Sequence, residues 1–324
     1  MNLFNRLKQK IEGKNKKIVF PEGLDIRIIK AVAKLGQEHL IQPILLGNSE
    51  QIEKIAYDHN VNLKNVNIID PEQYPVDKHN QMVESLVKRR NGKTSHERAE
   101  KWLQNYNYFG TMLVYMGLAD GMVSGATQST GATVLPALQI IKTKPGIKRV
   151  SGAFILQKHG ERYIFADCAI NITLDADTMA EVAIESANTA KMFDLDPKIA
   201  MLSFSTKGSA KGDMVTKVVE ATKKVREEQP DLSVDGELQF DAALVPSVAK
   251  TKAPNSKVAG HSNVFVFPDL QSGNIGYKIA QRLGGFEALG PILQGLNQPV
   301  SDLSRGCNSD DVYKVAMINA IQSL

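Results

Sequence analysis

The residues best suited to chemistry lie near the C-terminus, in the run Asp302-Leu303-Ser304-Arg305-Gly306-Cys307-Asn308-Ser309-Asp310-Asp311. Arg305 offers a planar fork of N–H donors that matches phosphate oxygens. Ser304 places a hydroxyl beside it, and Asp311 brings a carboxylate into the first turn of a predicted C-terminal helix. The same residues have a plainer use, with Ser309 as N-cap and both acids complementing the helix dipole. A second loop, 124–131, is rich in small residues, and its Ser129 and Thr130 can bind phosphate or carbonyl oxygens or simply cap the next helix. In a third, 203–212, hydroxyls and glycines surround Lys207 and Lys211. That set suits an anion, although its spacing is not a Walker A and an N-cap with solvated lysines fits equally. Gly273-Asn274-Ile275-Gly276, ahead of a predicted helix at 276–283, is a weak pyrophosphate signal. Cys168 has no histidine near it in sequence and reads as a buried structural thiol. There is no metal-ligand spacing, no G-x-S-x-G elbow and no G-x-G-x-x-G fingerprint after a strand.

Such loops need regular elements to hold them. Apolar runs predict strands at 17–21, 41–46, 66–69, 121–124, 152–156, 163–166, 200–204, 234–236, 264–266 and 290–293. Helical spacing appears at 25–36, 51–59, 178–193, 215–228, 276–283 and from 309 to the end, and a long helical region at 76–117 breaks near Asn91-Gly92 and at 105–108. Leu3, Phe4, Leu7 and Ile11 predict a short amphipathic N-terminal helix. The segments 152–156 and 163–166 read as a hairpin around His159-Gly160. Strands separated by helices imply parallel sheets, with ligands beyond the carboxyl ends of the strands. The alternation restarts near Val150, which divides the chain into residues 1–148 plus 292–324 and residues 149–291, the last helix closing back onto the first domain.

The 324 residues are 43% hydrophobic and 23% charged, with a net charge of +4. This excludes global disorder and gives nucleic-acid binding no support beyond a basic N-terminal segment. Two distant cysteines and a start without a continuous apolar run point to the reducing cytoplasm. No stretch approaches the roughly 20 apolar residues of a membrane span.

Further motifs are spread along the chain: Pro21-Glu22-Gly23, Tyr108-Phe109-Gly110-Thr111-Met112, Ala119-Asp120-Gly121, Leu138-Gln139-Ile140-Ile141-Lys142-Thr143 and Asp167-Cys168-Ala169-Ile170-Asn171. LSFSTK at 202–207, Asp235-Gly236-Glu237-Leu238-Gln239, Phe267-Pro268-Asp269-Leu270, GNIGYKIAQRL at 273–283 and residues 297–307 continue the series. In this order they resemble the phosphate acetyltransferase (phosphotransacetylase) family over essentially the full length. The resemblance implies two three-layer α/β domains flanking a cleft, a fold shared with isocitrate and isopropylmalate dehydrogenases. It also implies a homodimer, CoA as substrate, no metal or redox cofactor, and reversible acetyl transfer between CoA and phosphate. Kinship of fold carries no nicotinamide chemistry with it. By resemblance Asp311 is the base, Ser304 hydrogen-bonds the thiol, and Arg305 holds the phosphoryl group and the tetrahedral oxyanion. Ser129, Thr130, Lys207, Gly273, Asn274 and Tyr277 fall on substrate-binding motifs, and either Arg89 or Arg90 matches a site arginine. A carboxylate in a helix first turn is a weakened base, so orienting the thiol is the alternative role for Asp311.

This chain departs from the family at one loop. Members read S-G-A-x-H-S-T followed by small-D-x-x-R-P, whereas here Gln128, Ala132 and Leu135 replace the His, Asp and Arg. A lost arginine contact to phosphate is worth about 1.5–3 kcal/mol, so weaker phosphate binding is expected unless Arg305, Arg89, Arg90, Lys207 or Lys211 compensates. A transferase for longer acyl groups and a catalytically weakened CoA-binding paralogue are the alternatives.

Overall fold

The computed structural model describes residues 3–324. The described chain opens with α1 (Leu3–Ile11), whose Leu3, Leu7 and Ile11 are buried at helical spacing. Then come β1 (Lys17–Phe20), α2 (Ile26–Gln37), β2 (Gln42–Leu46), α3 (Ser49–Asp58), β3 (Asn67–Ile69), α4 (Val76–Arg90), α5 (His96–Leu103), α6 (Tyr106–Tyr115), β4 (Gly121–Ser124) and α7 (Thr130–Ile140). The next stretch holds β5 (Ser151–Lys158), β6 (Glu161–Ala166), α8 (Ala176–Met192), β7 (Lys198–Leu202), α9 (Asp213–Glu228), β8 (Ser233–Leu238), α10 (Phe240–Leu244), α11 (Pro246–Lys252), β9 (Val264–Val266), α12 (Leu270–Arg282) and β10 (Glu287–Gln294). β11 (Val300–Asp302) and α13 (Ser309–Gln322) close the chain. Two compact units result: residues up to Lys144 together with Leu296–Leu324, and Pro145–Gly295.

The first unit is built on a parallel sheet in the order β11-β4-β1-β2-β3. Its central strands are buried along nearly their whole length, as parallel strands covered by helices must be. The breaks in the helical region 76–117 have local causes. Asn91 ends α4 in a left-handed conformation. Ser95 then caps α5, and the Asn105 side chain accepts from the Asn107 and Tyr108 amides to start α6.

The second unit carries a mixed sheet, β10-β5-β6-β9-β7-β8. β10, β5 and β6 run antiparallel, while β6, β9, β7 and β8 are parallel. Lys158 pairs with Glu161, leaving His159 and Gly160, both at positive φ, as a two-residue hairpin turn of the type such twisted strands favour. Phe154, Phe165, Phe265 and Phe267 fill its core.

Three of the differences from the sequence expectation touch the candidate site residues or their loops. α12 begins at Leu270 because Asp269 caps it by accepting from the Ser272 amide, so Gly273 and Asn274 lie inside the helix and not in a loop before it. β7 ends at Leu202, so Ser203 and Phe204 belong to the following loop. β11 was not expected at all; it is a three-residue strand that adds to β4 at the sheet edge. Among the described residues no helix is long and apolar enough to cross a membrane.

Candidate active site

Three neighbouring parallel strands, β1, β4 and β11, end at the same edge of the first sheet and open into three loops. Glu22, just past β1, is buried, and its carboxylate accepts from the Gly125, Ala126 and Thr127 amides at 3.0, 2.8 and 2.7 Å and from the Thr127 hydroxyl at 2.7 Å. The 124–131 loop is therefore held by an internal anion, and these three amides are not free for a phosphate. Gly125 is the residue this geometry needs. It sits at φ +113, and a Cβ there would lie 2.4 Å from Asp302 Oδ1.

Asp302 ends β11. Its carboxylate is buried, with Oδ2 accepting from the Thr130 hydroxyl at 2.7 Å and Oδ1 unpartnered. Burial pushes this carboxyl up to about 6, against the lowering influence of the Thr130 and Thr133 hydroxyls. Thr133 is close enough to contribute, yet no hydrogen bond of normal geometry joins the two. Ser129 takes the plainer of its two roles, as N-cap of α7.

Beyond β11, the Leu303 amide donates to the Ser124 carbonyl at 2.8 Å, binding the third loop to the second. The Ser304 hydroxyl oxygen accepts from the Gly306 amide at 3.2 Å. Asn308, not Ser309, caps α13, and Asp311 closes a capping box by accepting from the Asn308 amide at 2.9 Å. Cys307 is buried, and its thiol is pushed up to about 11 by that burial despite the nearby Arg27 cation. The Arg305 side chain is exposed and has no hydrogen bond or ion pair among the described residues.

The other candidates are engaged with protein groups within their own units. Arg89 donates to the Ile140 and Ile141 carbonyls at 2.5 and 2.8 Å, and Arg90 to the Gln139 carbonyl at 3.1 Å. Both arginines thus satisfy the orphan carbonyls at the C-terminus of α7, while Ser129 and Thr130 mark its N-terminus, about 16 Å away for an 11-residue helix. With Lys93 they make a cationic end that holds the Lys142 amine below its ordinary value, Arg89 contributing most. Gln128 accepts from the buried Asn107 side chain at 3.0 Å, so this departure pins the loop to α6. Leu135 stands exposed on α7.

In the second unit Lys207 donates to Asp235 at 2.5 Å and to the Gly236 carbonyl at 3.1 Å, and Arg226 joins the same carboxylate at 2.6 Å. Burial is the largest single influence and would raise Asp235, but the Lys207 and Ser256 contacts and the Gly236 amide together outweigh it, and the carboxyl is lowered. On α12, a Cβ at Gly273 would meet the Asp167 carbonyl at 2.3 Å. Asn274 donates to the Cys168 carbonyl at 3.1 Å, and Tyr277 stacks on Phe154 with centroids 4.0 Å apart. All three side-chain positions serve to seat α12 on its sheet. Among the described residues no group of three or more His, Cys, Asp or Glu could hold a metal.

Residues 2–320 match the family model of the phosphate acetyl/butaryl transferases. The chain belongs to that family. A phosphate acetyltransferase of Bacillus subtilis (strain 168) is 59% identical over 323 residues, covering 100% of this chain and 99% of that one. A solved phosphotransacetylase from Streptococcus pyogenes is 58% identical and superposes with a TM-score of 0.96 over 99% of this chain and 98% of that chain. A 4-hydroxythreonine-4-phosphate dehydrogenase-type structure from Salmonella typhimurium, 15% identical with a TM-score of 0.56 over 96% of this chain and 100% of that chain, shares the fold alone. As a family member the chain is an acyltransferase. Two residues of the β1–β4–β11 edge, Glu22 and Arg27, escape sequence reasoning as site components, and Asp302 enters it only as the first residue of the C-terminal run, without a role. Glu22 carries a signal, since it stands in a family motif directly after a strand. Arg27 carries none, because its partners are mostly main-chain carbonyls.

Proposed function

We propose that the chain transfers an acetyl group reversibly between CoA and inorganic phosphate, and that the reaction takes place at Ser304, Arg305 and Asp311. One observation carries the reading. Of the five cations suggested for the site, Arg89, Arg90 and Lys207 are committed to protein oxygens, Lys211 and Arg305 are exposed and uncommitted among the described residues, and Arg305 alone of these two lies beside Ser304 in the loop after β11. It stands at the carboxyl ends of adjacent parallel strands, where α/β sheets bind ligands. A thiol with a pKa of ~8.5 is only a few per cent thiolate at neutral pH, so a base speeds the direction that starts from CoA. Asp311 takes the thiol proton, and Ser304 hydrogen-bonds the sulfur. The thiolate attacks the carbonyl carbon of acetyl phosphate, forming the C–S bond and a tetrahedral oxyanion that Arg305 stabilises. Collapse breaks the C–O bond and phosphate leaves with the electron pair, without an acyl-enzyme.

CoA and acetyl-CoA, phosphate and acetyl phosphate are then the partners, with no metal or redox cofactor, no nucleic acid and no membrane. The remaining proposed substrate-binding residues are Ser129, Thr130, Arg89 and Arg90 in the first unit and Lys207, Gly273, Asn274 and Tyr277 in the second. A cytoplasmic location is supported by two free, buried cysteines. A homodimer is supported by the exposed apolar row Ile275, Ile279 and Leu283 along α12.

The deciding measurement is thiol release from acetyl-CoA with and without phosphate. Release should require phosphate, and Asp311→Asn should lower kcat by about 10²-fold or more with little change in the KM for CoA. Release that ignores phosphate would favour a weakened paralogue, and an unchanged kcat in the variant would remove Asp311 from the chemistry. Because Leu135 is exposed and apolar, propionyl- and butyryl-CoA belong in the same assay.

A further inference from the structure

Arg27 lies in the first turn of α2, where sequence gives it no more than a helical position. Its cap residue Asp25 accepts from the Arg27 amide at 2.8 Å. Nε donates to both Asp25 oxygens at 3.0 and 3.2 Å. Nη2 donates to Asp25 Oδ2 at 2.7 Å and to the Ala126 carbonyl at 2.8 Å. Nη1 donates to the Arg305 and Cys307 carbonyls at 2.8 and 3.0 Å. A guanidinium has five N–H donors, and all five are used here. Three go to main-chain oxygens of two separate loops.

We infer that Arg27 is a positioning residue that locks the 303–307 backbone to the 124–128 loop and thereby aims the otherwise unpartnered Arg305 side chain. The inference rests on the acyl-transfer reading of this site. The physical case is one of geometry. Arg305 has no side-chain anchor among the described residues, so the direction of its side chain is set by its main chain, and Arg27 grips that main chain at the Arg305 carbonyl itself. Asp25 holds the fork in plane, which leaves Nη1 and the outer N–H of Nη2 pointing to opposite loops. Lysine cannot replace this function, since three donors on one nitrogen cannot reach two loops and the capping carboxylate together. The Arg27 side chain is 29% exposed. Pairs this near the surface contribute little to global stability, so the effect belongs to the loops.

The test compares wild type, Arg27→Lys, Arg305→Lys and the double variant, by hydrogen–deuterium exchange and by phosphate-dependent thiol release. In Arg27→Lys, amides in 124–128 and 303–308 should exchange together about tenfold faster while 145–295 is unchanged. kcat should fall by about 10²-fold, as expected for a small misplacement of reacting groups, with the KM for acetyl-CoA within about threefold. The double variant should turn over no more than about threefold more slowly than Arg305→Lys alone. Losses that multiply, or exchange that rises in one loop only or in neither, would overturn the inference. Asp25→Asn, which keeps a capping side chain but removes the carboxylate, is the second variant and should give the same pattern with smaller amplitude. If wild type shows no phosphate-dependent release, the acyl-transfer reading fails, and the exchange data still decide whether Arg27 couples the loops.

Discussion

Asp302 and Glu22 are two buried carboxylates at one sheet edge with opposite degrees of satisfaction. Glu22 accepts four hydrogen bonds, while one oxygen of Asp302 accepts none. The Asp302 carboxyl accordingly rises from 3.8 to about 6. In the unfolded chain it ionises near its ordinary value, so between about pH 4 and 6 the native state binds more protons at this group than the unfolded state does. The group therefore favours folding below that window, and the advantage is lost as pH rises through it, by roughly 3 kcal/mol. Asp302→Asn cannot ionise. Urea unfolding at pH 4.5 and 7 should show the variant gaining on wild type as pH rises, and parallel stability curves would refute the assignment. At this scale the sequence was legible in placing Asp310 and Asp311 in the first turn of the last helix. It was silent on Arg27, because a carbonyl partner has no residue signature.

At the scale of elements, α13 shows how a cap and a proposed base share one turn. The Asn308 side chain accepts from the Asp310 and Asp311 amides at 2.8 and 3.0 Å, and Asp311 returns the bond to the Asn308 amide. Replacing Asn308 by alanine should cost about 1 kcal/mol in chemical denaturation. It should also lower kcat several-fold by about the same loosening of the turn that carries Asp311. Unchanged stability would mean the capping box is not formed in solution. Most elements were legible because their apolar periods are long: the strand at 121–124, the hairpin at 151–166 and the last helix lie close to where the pattern puts them. β11 was not, since Val300-Ser301-Asp302 is too short for a period and becomes a strand only by pairing with β4. The start of α12 was missed for a related reason. Its first turn holds Gly273, which sequence reads as loop, while the Asp269 cap and the close approach to Asp167 make glycine the residue that fits inside the helix.

For the whole molecule, the two sides of α12 divide the work. Its inner side, with Gly273, Asn274 and Tyr277, seats the helix on its own unit. Its outer side shows Ile275, Ile279 and Leu283, four residues apart and 55%, 53% and 85% exposed. An apolar row of this kind along a helix marks an interaction surface more often than isolated exposed side chains do. In a two-fold dimer the same patch meets itself, so one substitution acts twice. Ile279→Glu would place two carboxylates in a desolvated interface, at a cost of several kcal/mol. Sedimentation velocity should therefore give a dimer for wild type and a monomer for Ile279→Glu. The variant's thermal midpoint, measured below the dimer dissociation constant, should stay within about 2 °C of wild type, because an exposed side chain adds little to the protomer's own stability. A monomeric wild type, or a variant that remains dimeric, would remove α12 from the interface and with it the structural support for a homodimer.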